Sequence, residues 1–227
     1  RMVIEKDETK LSDKIYAGGV LISSELAEGS ATIDNCVIIG DLEVAGGGNG
    51  TITLNNTRVE NVIVNKKDGP VRIVTKGNTA IPNLEAYRSC YLQPSTNKNG
   101  YGFQNIKVNK DAEVTLKGNF SNISIDGSWA NLTLESGTIT NLTVSNAGKY
   151  SDITLSGKSK ITDVTVNAES YFHGEGSIAN MLINADNVTY ETKPDKMSVG
   201  LNYDRAVAEG DVEVDVTFEP AKKKTDI

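Results

Sequence analysis

Trp129, Tyr150 and Tyr171 follow one another at steps of 21 residues, and Tyr190 comes 19 later. Flat aromatic faces repeated at a fixed interval could stack on the apolar faces of pyranose rings, provided the fold returns the chain to one side at that interval. An internal aromatic stack, or unrelated loop residues, is the other reading of the same spacing. Trp129 stands three residues before Leu132 and Tyr150 three before Ile153, so these two are expected to point alike, whereas Tyr190 is expected to point inward. Tyr87, Tyr91, Tyr101 and Phe103 form a second aromatic group around the irregular stretch 88–100, a candidate binding loop.

Other chemistry is sparse. The chain has one histidine, His173, and no G-x-S-x-G, H-E-x-x-H, paired C-x-x-C or P-loop pattern. Carboxylates can cleave polysaccharides when two or three converge. Here Asp34, Asp41, Asp126, Asp152 and Asp163 occupy different positions of the pattern described next, and Arg72 and Arg88 read as solvated residues. A polar column, Asn65, Asn109, Asp126, Ser145, Asn167 and Asn184, could offer stacked oxygens to a hard cation such as calcium. One carboxylate in six positions is a poor charge count for that, and turn hydrogen bonding is the simpler reading.

The elements that must position these residues are legible from a repeat. Eight segments fit the template apolar, any, Asn or Asp, apolar, any, apolar: 33–38, 59–64, 81–86, 103–108, 120–125, 139–144, 161–166 and 178–183. Asn35, Asn61, Asn83, Asn105, Asn122, Asn141, Asp163 and Asn180 hold the third position, at steps of 26, 22, 22, 17, 19, 22 and 17, a mean of about 21. That interval is the length of one solenoid coil. Apolar residues two apart mark strand alternation, but those flanking the Asn are three apart, so the backbone must bend there. Asn tolerates the left-handed conformation that a tight bend needs, and its amide both donates and accepts, so stacked bends can bond from coil to coil. Between the bends lie short runs such as Val114-Thr115-Leu116, Leu132-Thr133-Leu134 and Ile153-Thr154-Leu155, which suit further parallel strands. The fold class expected is all-β, a right-handed parallel β-helix, the hand following the general preference of parallel crossovers.

Composition agrees. Of 227 residues 38% are hydrophobic and 6% aromatic, with 21 Gly, as thin coils with narrow cores and many turns require. A net charge of −7 argues against nucleic acid as a partner. Lys66-Lys67 reads as a solvated turn and Lys222-Lys223-Lys224 as a tail. No apolar run reaches the roughly 18 residues of a membrane span. Cys36 and Cys90 fall about two coils apart, too far to bridge, and are expected to be free thiols. Residues 1–14 are charged and off-period, and read as a linker or entry segment. The solenoid is expected over 15–193, and 194–227 as a C-terminal cap and linker, the cap being the alternating strand 211–218. A start at Arg1 suggests a piece of a longer chain.

The run 46–69 carries a resemblance. Gly46-Gly47-Gly48-Asn49-Gly50, then Thr51-Ile52-Thr53-Leu54 and Val59-Glu60-Asn61-Val62-Ile63-Val64, resembles the β-helical repeats of Gram-positive cell-surface proteins that accompany S-layer homology domains. Length and repeat region are similar to carbohydrate-binding module family 54, found beside the catalytic domain of surface glucanases. The resemblance covers about 18–200. It implies a secreted, non-catalytic module at the bacterial cell surface, joined to neighbouring domains, that binds insoluble polysaccharide such as β-glucan, xylan or chitin, and it admits calcium. The alternatives are a rigid spacer without ligand and a polysaccharide lyase-like enzyme.

Overall fold

A computed structural model describes residues 1–95 and 101–200. The chain is a parallel β-solenoid of about nine turns with almost no helix, a single 3-10 turn at Ser24–Leu26 excepted. One coil shows how the sequence dictates the path. The strand Asn131–Val144 turns Leu132 and Leu134 inward on a first side, rounds a corner at Gly137, turns Ile139 inward on a second side and bends at Thr140-Asn141. Leu142 and Val144 then point inward on a third side. Gly137 is required: its φ is 105°, and a Cβ there would lie 1.9 Å from the Gly118 carbonyl oxygen of the coil below. Residues 145–150 carry the chain back to the first side, where Ser151–Leu155 pairs with the start of Asn131–Val144.

Every strand pairing among the described residues is parallel, and equivalent residues stack. Leu42, Val62, Leu84, Ile106, Ile123, Leu142, Val164 and Met181 form one inward column in continuous register. Each is at most 2% exposed. Burying an aliphatic side chain of this size stabilises by about 1.5–3 kcal/mol, so the column is a main source of cohesion along the rod.

The bend ladder begins at Asp41, not at Asn35. Asp41 stands in register with Asn61, and from there Asn83, Asn105, Asn122, Asn141, Asp163 and Asn180 follow as expected. The strand Val37–Val44 slips register between Ile38 and Asp41, which hides its bend from the template. Of the eight expected bend residues only Asn35 is left-handed (φ 51°), at a different corner shared with Asp13 (57°), Asn56 (46°) and Gly77 (58°), where its amide donates to Asp13 Oδ1 at 2.6 Å.

Residues 1–14 form strands rather than a linker: Met2–Ile4 pairs with Val20–Ile22, and Thr9–Ser12 with Ala31–Asp34. Only Ile4 and Leu11 of these strands point fully inward, too few for the period to be visible. Asp7 ties the segment down by accepting Ser30 N–H at 2.7 Å and Ser30 Oγ at 3.0 Å. Lys196–Val199 pairs with Ser177–Ile183, so the solenoid passes beyond 193. The expected cap strand 211–218 lies outside the described residues. Lys66 is not solvated: its side chain is 5% exposed, and its ammonium meets the Glu28 carboxylate. That hydrogen bond, with a second from Asn49 N–H, holds the Glu28 carboxyl below its usual range. Cys36 and Cys90 are free, and both are buried.

Candidate functional site

Trp129 and Tyr150 occupy successive coils of one corner, between the third side and the first. Both take the left-handed conformation, with φ of 60° and 61°, as does Asp111 (57°) in the coil before. The corner is hydrogen-bonded through the backbone: Asp111 N–H donates to Ser128 O, Trp129 N–H to Lys149 O and Tyr150 N–H to Glu169 O, at 3.1, 2.9 and 2.8 Å. Behind it, Ala112, Ala130, Ser151 and Ser170 are buried, small enough for the chain to turn tightly. The two rings stack, centroids 4.7 Å apart and planes 29° apart, within the favourable range for aromatic pairs. Lys149 Nζ lies 5.5 Å from the Tyr150 centroid, and Trp129 is 58% exposed. Left-handed backbone in a bulky residue costs on the order of 1–3 kcal/mol, and such residues cluster at functional positions.

Tyr171 does not extend this pair. The coil step from Tyr150 is 19 residues, so Glu169 falls at the corner and Tyr171 lies in register with Asp152 on the first side. Its hydroxyl donates to Glu169 Oε1 at 2.9 Å, a bond that raises the phenol pKa. Tyr190 points inward as expected, in register with Phe172.

The second aromatic group is dispersed over separate positions of the coil. Tyr87 is exposed just after the third side and donates to Glu85 Oε2 at 2.7 Å. Tyr91 lies on the first side with the Arg72 guanidinium 5.4 Å from its ring centroid and its hydroxyl donating to Glu135 Oε2 at 3.0 Å. Tyr101 precedes the strand Gly102–Val108, and its carbonyl accepts from Gln104 Nε2 at 2.7 Å. Phe103 is core, stacked on Phe120 at 6.2 Å.

The polar column after the third side follows the expected register from Asn65 to Asn184, with Tyr87 standing between Asn65 and Asn109. Several of its members bond to neighbours, while Asn109 Nδ2 is buried with no hydrogen-bond partner among the described residues. Asn184 Nδ2 donates to Asn167 Oδ1 at 3.0 Å, Ala147 N–H to Ser145 Oγ at 3.3 Å and Ser124 Oγ to Asp126 Oδ1 at 2.7 Å. Calcium takes roughly six to eight oxygen ligands, and a column with one carboxylate does not fit it. Among the described residues, no three His, Cys, Asp or Glu side chains converge as metal ligands.

The bend ladder faces solvent on the third side, where sequence reasoning treated it only as a structural device. Asn61 Nδ2 donates to Asp41 Oδ1 at 3.1 Å and Asn83 Nδ2 to Asn61 Oδ1 at 3.2 Å. Asn122 donates to Asn105 at 3.0 Å, Asn141 to Asn122 at 2.9 Å and Asn180 to Asp163 at 2.8 Å. The ladder breaks at Asn105, whose amide donates to the Pro82 carbonyl at 2.9 Å, and again at Asp163, a carboxylate with no hydrogen to give Asn141. Pro82 sits at the bend, outside the pairing register on both sides.

The class defined by this architecture is a parallel β-solenoid with an outward carboxamide ladder on one side and, on one corner, a stacked aromatic pair of an exposed Trp129 and a half-buried Tyr150. Among solved structures it is similar to chitinase ChiW from Paenibacillus sp. strain FPU-7, a bacterial cell-surface-expressed multi-modular enzyme, at 29% identity and a TM-score of 0.59. The match covers 66% of this chain and 14% of the chitinase chain. No protein-family profile and no curated protein sequence matches the chain. Among the described residues no helix is long and apolar enough to cross a membrane.

Proposed function

We infer that this chain is a non-catalytic polysaccharide-binding module of a secreted bacterial cell-surface glycoside hydrolase, of the kind grouped as carbohydrate-binding module family 54. The observation that carries the reading is the Trp129–Tyr150 pair: two rings held face to face on a left-handed corner, the tryptophan more than half exposed. An exposed indole backed by a half-buried tyrosine and fixed at some cost in backbone energy is a stacking platform for sugar rings. Similarity to part of a multi-modular chitinase supports the setting, covalently joined to other domains at a cell surface, with insoluble polysaccharide as the partner.

The test is retention of the purified chain on insoluble β-glucan, cellulose, xylan and chitin, with and without a calcium chelator. Retention on at least one is expected, and Trp129→Ala should abolish it while leaving the circular dichroism spectrum intact. Chelator is expected to change nothing, and loss of retention with chelator would assign a cation that the described side chains do not cage. Failure on all four polymers would replace the reading with that of a rigid spacer.

A further inference from the structure

The outward side chains of the third side border an open groove. Between the bend ladder and the following turn, the coils from Asn61 to Asn141 enclose an open trough of about 570 Å³. The ladder forms one wall, and Glu85, Lys107, Ser124 and Thr143 form the other. The floor lies over Leu84, Ile106 and Ile123, whose side chains point into the core. Four coil steps of about 4.8 Å give a straight length of about 19 Å.

Each carboxamide carries two N–H donors and an oxygen with two lone pairs. A ladder bond to each neighbour consumes one donor and one lone pair, so every rung keeps one donor and one acceptor for a ligand. At the break, Asn105 bonds to Pro82 and no amide from the next coil reaches Asn83 Oδ1, which leaves an extra acceptor inside the trough. Glu85 and Lys107, of opposite sign, occupy adjacent rungs of the facing wall, and the lining adds only Asp126 to the charge. The surface therefore offers neutral donor–acceptor pairs at the coil interval, with no net field to attract a polyanion.

We propose that this trough binds a single extended chain of a neutral, β-linked polysaccharide lying parallel to the solenoid axis, its hydroxyls paired with the free half of the Asn ladder. An extended hexose chain advances per residue by a distance close to the coil spacing, so successive sugars meet equivalent carboxamides. The proposal rests on the polysaccharide-binding reading and adds a second site to it: the Trp129–Tyr150 corner meets the polymer surface, and the trough takes one strand.

The test uses the full chain with soluble laminari-, cello-, xylo- and chito-oligosaccharides from dimer to hexamer, followed by calorimetry. For the series that binds, affinity should climb with length to about the tetramer or pentamer and then level off. Thr143→Arg, which fills the trough from an outward strand position, and Asn122→Leu, which removes one rung's hydrogen bonding, should each weaken binding about tenfold or more. Thr133→Ala, on the outer face of the first side and outside both sites, should bind the oligosaccharides as the wild type does. Affinity that levels off at the dimer, or wild-type affinity in both trough variants, would overturn the trough. So would a wild-type chain retained on solid polymer that binds no oligosaccharide, and the general reading would then stand without it. A chain that neither binds oligosaccharides nor is retained on solid polymer would remove both.

Discussion

His173 Nε2 lies 3.0 Å from Asp152 Oδ1, across one coil boundary of the first side. Its other nitrogen, Nδ1, lies 3.3 Å from Glu191 Oε1, and Glu191 also accepts Gly174 N–H. The imidazole thus links side chains of three successive coils. Partial burial works against the imidazolium, but the hydrogen bonds to Asp152 and Glu191 outweigh it and hold the His173 pKa above its ordinary 6.5. The Gly174 and His173 hydrogen bonds hold the Glu191 carboxyl below its ordinary 4.5. A raised histidine pKa contributes stability that is complete below about pH 6.5 and lost as pH rises through the folded-state value. A lowered carboxylate pKa contributes stability present above about pH 4.5 and lost as pH falls through the folded-state value. The clamp is therefore complete between about pH 4.5 and 6.5. Thermal unfolding of the wild type should show its C-terminal coils most stable in that window, and His173→Gln should flatten the decline above it. An identical decline in the variant would show that the imidazole does not act as a clamp.

Trp129 sets a conflict between backbone geometry and the proposed binding role. Trp129→Gly removes a ring that is 58% exposed and gives the left-handed corner a residue that adopts it freely. Chemical denaturation is expected to show unchanged or slightly higher stability, by up to about 1 kcal/mol, together with lost retention on polysaccharide. A large loss of stability would reassign the ring to a structural role.

The inward column carries the opposite balance. Leu142→Ala empties a site that is 1% exposed and stacked between Ile123 and Val164, and should cost about 2–5 kcal/mol. Thr133→Ala, on the outer face of the same strand, should stay within about 0.5 kcal/mol. Coils contact only their neighbours, so hydrogen exchange in the leucine variant should rise first in the adjacent coils.

The thiols give a chemical readout of packing. Burial pushes the Cys90 thiol up to about 12, and Cys36 is 1% exposed. A disulfide exchange reagent at pH 8 should label neither residue in the native chain and both after denaturation. Rapid labelling of native Cys90 would contradict its place in the core.

The solenoid was legible because inward side chains recur at fixed positions, and the bend ladder was legible from Asn61 onward because one residue type recurs with them. Asn35 was misplaced because a left-handed corner and an outward bend both select Asn, and because the slip between Ile38 and Asp41 hid the real bend. The Trp129–Tyr150 stack could be read from a coil of 21 residues, but Tyr171 could not be placed, since the next coil is 19 and the side chain moves from corner to side. The trough needed the structure: the sequence shows that the Asn residues stack, whereas the space between their column and that of Glu85, Lys107, Ser124 and Thr143 depends on the three-dimensional path of the third side.

The ladder also has a sense. Within each of its runs the amides hand their hydrogen to the coil before them, and two of the runs end on an acid, Asp41 or Asp163, that can only accept. A polysaccharide is likewise polar, with a reducing and a non-reducing end. The two orientations of a strand along such a column would be diastereomeric complexes of unequal energy, so the proposed trough would act as a vectorial track that sets which way a bound chain points.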